Sequence, residues 1–352
     1  MRMLGKVNLL GPTWLLPSFF VLACTGSGPA TASRTGAPAT VATVAHAPDG
    51  AKAPVTFGAA FTESSLAAGG KPAAKKLLTV PEARRYMLAL INRDRATQKL
   101  PPVELDEGAA QTAGQRHAED MAKHGFLGHW GTDGSVPEQR YTEAGGADFV
   151  QENALCFTDQ KGRTLDARPL IDSEALDKSE AMFFNEVPPN DGHRKNILKP
   201  YHKKVGIGVA QPRGTDVELP VPCFAQEFID SYGQYAPLPK KAKLGGTVRI
   251  EGTMHAPATF GGIGVARAAT PRPIPVAELN TRRSYPVPNP YQMYWPPGFR
   301  TPIPIQVNGK NFALDLPLSD GGKAGMYEVS IWARVPGSPD FVMVSLRTLR
   351  VE

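Results

Sequence analysis

The sequence predicts an α+β protein in which a helix-bearing half precedes an all-β half, and three observations carry that prediction. Apolar residues recur at helical spacing in 81–97 and 106–123. From about residue 244 onward the chain consists of short runs of alternating or β-branched residues separated by Gly, Pro, Asn and Asp. Between the two textures lies a Pro- and Lys-rich stretch, Tyr235-Ala-Pro-Leu-Pro-Lys-Lys-Ala-Lys243, read as a linker over 235–243. With 352 residues, 35 of them Gly and 34 Pro, the chain is long enough for two domains and rich in turns.

The first 24 residues read as an export signal. Arg2 and Lys6 form a charged start, and an apolar stretch from Leu9 to Ala23 follows that is too short for a confident membrane span. Its end, Val21-Leu22-Ala23-Cys24, is similar to a bacterial lipobox, so Cys24 is expected to carry lipid and become the mature N-terminus, with simple secretion as the other reading. The expected location is therefore the cell envelope of a bacterium, anchored by lipid, or the medium. Residues 25–74 are dominated by Ala, Gly, Thr, Pro and Ser, which bury too little apolar surface to offset the entropy of ordering, and are expected to be a disordered tether.

Three cysteines in an exported chain leave one odd. If lipid takes Cys24, then Cys156 and Cys223 remain for a disulfide, the alternative being two small buried hydrophobes that never meet. The net charge of +6 comes from basic residues spread along the chain, which suits weak attraction to anionic envelope polymers and lipid headgroups and gives no nucleic-acid footprint.

In the first domain, 75–234, Pro81 opens a helix whose inward face holds Met87, Leu90 and Ile91. A second helix is expected from an Asp106 cap to about Lys123, with Ala109, Ala110, Ala113, His117 and Met121 on one stripe; side chains this short imply close backbone approach to a neighbour. His117 on that stripe reads as a core histidine. The glycine-punctuated segment Phe126 to Gly134 is a loop that presents His129, and a short helix follows over 136–144. A further helix runs from Ser173 to about Asn185, stopped by Pro188-Pro189. Val205, Ile207 and Val209 alternate with Gly206 and Gly208 as a strand, and 222–229 supplies another.

Taken in order, Ala113-x-x-x-His117-Ala118-Glu119-Asp120-Met121-Ala122, Phe126-Leu127-Gly128-His129, Asp133-Gly134, Arg140, Gln151-Glu152-Asn153, Gly192-His193-Arg194-Lys195-Asn196-Ile197-Leu198 and Val205 to Ala210 closely resemble the CAP superfamily. That superfamily, also called the SCP domain, comprises the cysteine-rich secretory proteins, antigen 5 and pathogenesis-related 1 proteins, and the match is to its bacterial branch over residues 80–232. The resemblance implies a three-layer α/β/α sandwich with an open cleft lined by two His and two Glu. His129, Glu152 and His193 fall on the family's motif positions. Glu186 is preferred to Glu180 for the second glutamate, because Phe183-Phe184-Asn185-Glu186 lies over the family's Trp-x-x-Glu. Trp130 stands where a small polar residue is usual, and Asp191 and Asn153 are expected beside the cleft, Asp191 to orient His193.

Two imidazoles with carboxylates in one cleft suit a divalent metal such as zinc, so His129, His193, Glu152 and Glu186 are the candidate metal set. They lack the compact His-Glu-x-x-His spacing of zinc hydrolases, and no nucleophile elbow, phosphate-cradling loop or dinucleotide fingerprint is present, so the reading leans away from an enzyme. The expected function is binding of a small apolar or envelope-derived ligand. The alternatives are a metal-dependent hydrolase of peptide or cell-wall material, and a structural envelope protein with a vestigial cleft.

The second domain, 244–352, is expected to be a β-sandwich. Strands are read at 247–252, 302–307, 312–316, 326–335 and 341–351, and Gly325 to Ala333 resembles the penultimate strands of immunoglobulin-like or fibronectin-like modules. The Pro-rich stretch 286–302, with Tyr291, Tyr294 and Trp295, reads as a long ordered loop packed on its own sandwich or as a recognition surface.

Overall fold

The computed structural model describes residues 76–217, 220–282 and 284–352. The expected export signal with Cys24 and the expected tether up to residue 74 lie outside the described residues. In chain order the elements are β1 (Leu77–Leu78), α1 (Val80–Thr97), β2 (Glu104–Leu105), α2 (Ala109–His124), α3 (Pro137–Glu143), β3 (Phe149–Leu155), β4 (Ile171–Asp172), α4 (Ser173–Phe184), α5 (Gly192–Leu198), β5 (Lys204–Ala210) and β6 (Cys223–Asp230). There follow β7 (Gly233–Tyr235), β8 (Lys241–Ala242), β9 (Thr247–Met254), β10 (Thr259–Ala268), α6 (Val276–Leu279), β11 (Gln292–Tyr294), β12 (Gln306–Asn308), β13 (Asn311–Pro317), β14 (Gly325–Arg334) and β15 (Phe341–Val351).

The first half is built on a four-stranded sheet of order β2-β5-β6-β3, parallel between β2 and β5 and antiparallel elsewhere. Alternation along a strand sends successive side chains to opposite faces. Val205, Ile207, Phe224 and Phe228 therefore meet Met87, Ile91, Leu176 and Phe183 of α1 and α4 in one apolar cluster. On the other face Val150 and Ile229 meet Ala110 and Ala113 of α2 and Tyr141 of α3. The small-residue stripe of α2 lies where the sequence placed it, against β5. A Cβ on Gly206 would sit 2.2 Å from the Ala110 carbonyl carbon, and one on Gly208 would sit 2.1 Å from the Gly114 oxygen. Asp106 accepts from the Ala110 amide at 2.8 Å, so it serves the first turn of α2 although the helix itself starts at Ala109.

The second half holds two sheets, one of order β11-β10-β14-β15-β8 and one of order β12-β13-β9-β7. They share an apolar core that includes Ile250, Ile263, Leu314, Leu316, Tyr327, Val329, Ile331 and Val344. Several elements differ from the sequence reading: it lacks α6 and β11, and the strand it places at 302–307 forms only at Gln306–Asn308. Strand β10 is absent from it, because Gly261, Gly262 and Gly264 leave the segment without a strand pattern; each glycine makes room for Phe341, Trp295 and Met293 respectively. The stretch 235–243 does not run free as a linker. It contributes Tyr235 to β7, which pairs with β9, and Lys241–Ala242 to β8, which pairs parallel with β15.

The two halves are joined by side chains as well as by the chain. Phe149 packs with Trp332, Met343 and Leu346, and the Thr348 amide donates to the Thr142 hydroxyl at 3.2 Å. Residues 274–280 reach the loop after α2: Ile274 and Leu279 pack with Phe126, Leu127 and Trp130, and Asn280 accepts from the Leu127 amide at 3.0 Å.

Candidate functional site

β3 is the edge strand of its sheet, and the site is assembled over that edge from both faces. From one side comes the loop after α2. Gly125, with φ +66°, ends the helix in the left-handed conformation that glycine adopts without strain. Thr132 then ties the loop back to α2 through its amide and hydroxyl, each 2.7 Å from the Asp120 carboxylate. Arg140 on α3 donates to the carbonyls of His129 (3.1 Å) and Ser135 (3.0 Å), which holds His129 over the strand. From the other side comes α5, whose Asn196 donates to the Glu152 carbonyl (3.3 Å) and to Asn153 Oδ1 (2.9 Å), covering backbone groups of the open edge.

The result is two carboxylate–histidine pairs side by side. His129 Nδ1 is 2.9 Å from Glu152 Oε1, His193 Nδ1 is 2.6 Å from Glu186 Oε1, and the two ring centroids are 6.4 Å apart. A carboxylate oxygen only accepts, so both Nδ1 atoms donate, and in the neutral ring the lone pair sits on Nε2. The imidazoles are partly exposed, at 22% for His129 and 30% for His193, whereas Glu152 is sealed beneath them.

Glu186 is thus the glutamate that meets the second histidine, and it also accepts from the His193 amide at 2.8 Å. Glu180 is buried in the core instead, where it accepts from Gln226 Nε2 at 2.6 Å; burial raises its carboxyl to about 8. Gln226 in turn accepts from Asn153 Nδ2 (3.0 Å), which also donates to the His193 carbonyl (3.2 Å). Asn153 therefore touches the backbone of His193. Asp191, expected to orient His193, is paired with Lys195 at 2.7 Å, and the orienting group is Glu186. Trp130 lies edge-on to Tyr285, with centroids 5.1 Å apart, and under the Arg282 guanidinium.

Burial acts to raise the Glu152 carboxyl, but the His117 ring, the Arg140 guanidinium and the His129 ring outweigh it and hold the group well below the usual carboxylate range. The strongest contact is Arg140 Nη2 to Glu152 Oε2, at 2.6 Å with both side chains buried. His117 is the core histidine that its position on α2 implied. It lies 2.7 Å from the Gly128 carbonyl through Nε2, and burial followed by the charge of Arg140 lowers it to about 4, so it is neutral at pH 7.

The four-residue metal set is not what these side chains form. Among the described residues no group of three or more His, Cys, Asp or Glu side chains has metal-holding geometry. The physical reason is that Glu152 is committed to Arg140 and His129, and Glu186 to the Nδ1 and amide of His193. Neither carboxylate is left as a free ligand. The donor chemistry that remains is the Nε2 lone pair of each histidine, oriented by a carboxylate on the opposite nitrogen as in carboxylate–histidine–metal arrangements.

Cys156 and Cys223 are bonded, one residue beyond the end of β3 and at the start of β6, which closes the two neighbouring strands at the end away from Phe149. Sequence reasoning passed over Glu227. It lies directly opposite Glu152 in the β3–β6 register and is fully buried, and the signal in the sequence is one acid inside the apolar run Cys223-Phe-Ala-Gln-Glu-Phe-Ile229.

No curated protein sequence matches the chain. A solved structure of a chimeric titin Z1Z2-Z1Z2 tandem, functionalised with a GRGDS peptide from fibronectin, is similar at 11% identity over 58% of this chain and 85% of that one, with a TM-score of 0.18. A family model, that of the cysteine-rich secretory protein family (CAP), matches residues 88–224, from the second half of α1 to the start of β6. All four cleft residues, His129, Glu152, Glu186 and His193, fall within that match, so this part of the chain is similar to a CAP domain.

Proposed function

We propose that the protein is an exported, lipid-anchored CAP-domain protein of the bacterial branch, whose cleft binds a small apolar or envelope-derived ligand together with a divalent metal. His129 and His193 would hold the ion through Nε2, while Glu152 and Glu186 fix the orientation of their rings. A zinc ion there would supply a Lewis-acidic anchor for a ligand oxygen. The observation that carries the reading is the pair of carboxylate–histidine contacts set side by side, with the two rings tilted by 48° and their centroids 6.4 Å apart. Phe183, 4.8 Å from the His193 ring, backs that imidazole from the apolar core. The C-terminal half serves in this reading as an immunoglobulin-like sandwich, a spacer or adhesive module following the CAP domain. Its two sheets around one apolar core support the sandwich.

The test is titration of metal-stripped protein with zinc by calorimetry and thermal melting. Wild type is expected to bind near one equivalent and to gain about 2.7 kcal/mol at a free zinc concentration 100 times Kd, and the double variant His129→Ala/His193→Ala to show neither effect. Equal responses of the two proteins would remove the metal from the proposal. Mass spectrometry of protein purified from its native envelope addresses the ligand, and a cleft that never carries lipid or glycan would leave the binding role without support.

A further inference from the structure

The Glu227 side chain sits behind the cleft in surroundings that offer it a single polar partner. It projects from β6 on the α2 face, and its neighbours there are largely backbone. The β5 residue opposite is Gly206. The α2 residue above is Gly114, where an added Cβ would lie 3.1 Å from Glu227 Cγ. Neither carries a side chain, and the fully buried Glu227 has no hydrogen bond to any amide, hydroxyl or cation on either carboxyl oxygen. The β3 residue opposite is Glu152, on the same face, and directly opposed residues of an antiparallel pair have Cβ atoms about 4.5–5.5 Å apart. Opposed at that spacing on one buried face, the two carboxyl groups are side-chain neighbours.

Two carboxyl groups in contact away from water cannot both be ionised, and one must carry a proton to bond the other. Glu152 is the ionised member, because Arg140 is in contact with it at 2.6 Å. The other ionisable groups acting on Glu227 are Glu138, an acid that offers no positive charge, and Arg140, which is already engaged by Glu152.

We propose that Glu227 is a positioning residue of the cleft: a neutral carboxylic acid whose O–H donates to the Glu152 carboxylate, completing with Arg140 and His129 the set of donors that fixes the oxygen on which His129 is oriented. Glu152 then accepts from one guanidinium, one imidazole and one carboxylic acid. His129 is held with its Nδ1 proton on the strand side and its Nε2 toward the cleft. The inference rests on the reading of the cleft as the working site, but its central claim, the proton on Glu227, does not depend on any metal.

The experiment compares full-length wild type with Glu227→Gln and Glu227→Leu. Glutamine keeps an N–H donor toward Glu152, and leucine fills similar space without one. The infrared difference spectrum between wild type and Glu227→Gln at pH 7 is expected to show loss of a protonated-carboxyl carbonyl band. Nitrogen NMR of the His129 ring is expected to be unchanged in Glu227→Gln and altered in Glu227→Leu, with zinc affinity kept in the first and reduced about tenfold in the second. An absent carboxyl band, or His129 signals in Glu227→Leu identical to wild type, overturns the proposal and leaves Glu227 as a space-filling residue. If the band and ring signals behave as expected while wild type binds no zinc, the metal reading fails and the role of Glu227 stands. If Glu227→Leu does not fold, the band in Glu227→Gln still decides the matter.

Discussion

Replacing Arg140 with methionine is the sharpest perturbation of the site that leaves every cleft side chain in place. Arg140 is almost fully buried, and its guanidinium meets Glu152 Oε2 at 2.6 Å and the carbonyls of His129 and Ser135 at 3.1 and 3.0 Å. Methionine fills much of the volume but returns none of these bonds, so Glu152 is left as an uncompensated carboxylate with no exposure. Removing one partner of a buried ion pair costs about 3–5 kcal/mol. For a domain of this size that corresponds to a drop of roughly 6–20 °C in Tm. The check is urea unfolding at pH 7, read as a fall in midpoint at constant slope. The double variant Arg140→Met/Glu152→Gln removes the orphaned charge and should recover more than half of the loss. The wild-type carboxylate is depressed, so its contribution is present above its unfolded pKa and lost as pH falls towards the folded one; that acid-limb contribution should vanish in Arg140→Met. A loss below about 1 kcal/mol, or a double variant no better than the single, would refute the argument that this ion pair organises the site.

Two further outcomes follow from the packing and the buried acids. Gly208→Ala places a Cβ 2.1 Å from the Gly114 oxygen, so α2 must lift from β5, and a loss of more than about 2 kcal/mol is expected in the same unfolding assay, whereas the open Gly162→Ala should be near neutral. Burial raises Glu138 and Asp148 to about 7 and Glu180 to about 8, so the stability these neutral acids contribute is complete below their unfolded values and is lost as pH rises through 7 to 8. His117 and His202, lowered by burial to about 4, oppose this only between 4 and 6.5. Melting at matched ionic strength should therefore show roughly 2–4 kcal/mol less stability at pH 8 than at 6.5, with Glu180→Gln removing about half of that difference; a flat profile would sink it.

Legibility varied with how local the determinant is. The small-residue stripe of α2 and the glycines of β5 announce a close contact, because only residues without bulk allow backbones to approach to that distance, and each stripe is visible alone. His129, Glu152 and His193 were legible through short motifs, each set within a few residues. β3 was not read as a strand, because Gln151, Glu152 and Asn153 break its apolar pattern. Their polarity reflects what covers them: α5 on the edge, Arg140 and His129 on one face, and Gln226 on the other. Glu186 was preferred to Glu180 by the alignment of Phe183-Phe184-Asn185-Glu186, but helical periodicity does not separate them, since Glu180 lies on α4 and Glu186 two residues beyond its end. The choice is decided by α4 ending at Phe184, which turns Glu180 into the core towards Gln226 and leaves Glu186 free to meet the first turn of α5.

The sequence by itself determined the α+β succession and the CAP match, and with them the histidine and carboxylate types in the cleft, because periodicity and short motifs are properties of neighbouring residues. Only the tertiary structure decided what each carboxylate does. Whether a buried glutamate binds an ion, orients a ring or keeps its proton depends on which donors surround it, and those arrive from β3, β6, α3 and α5, as much as 75 residues apart between Glu152 and Glu227.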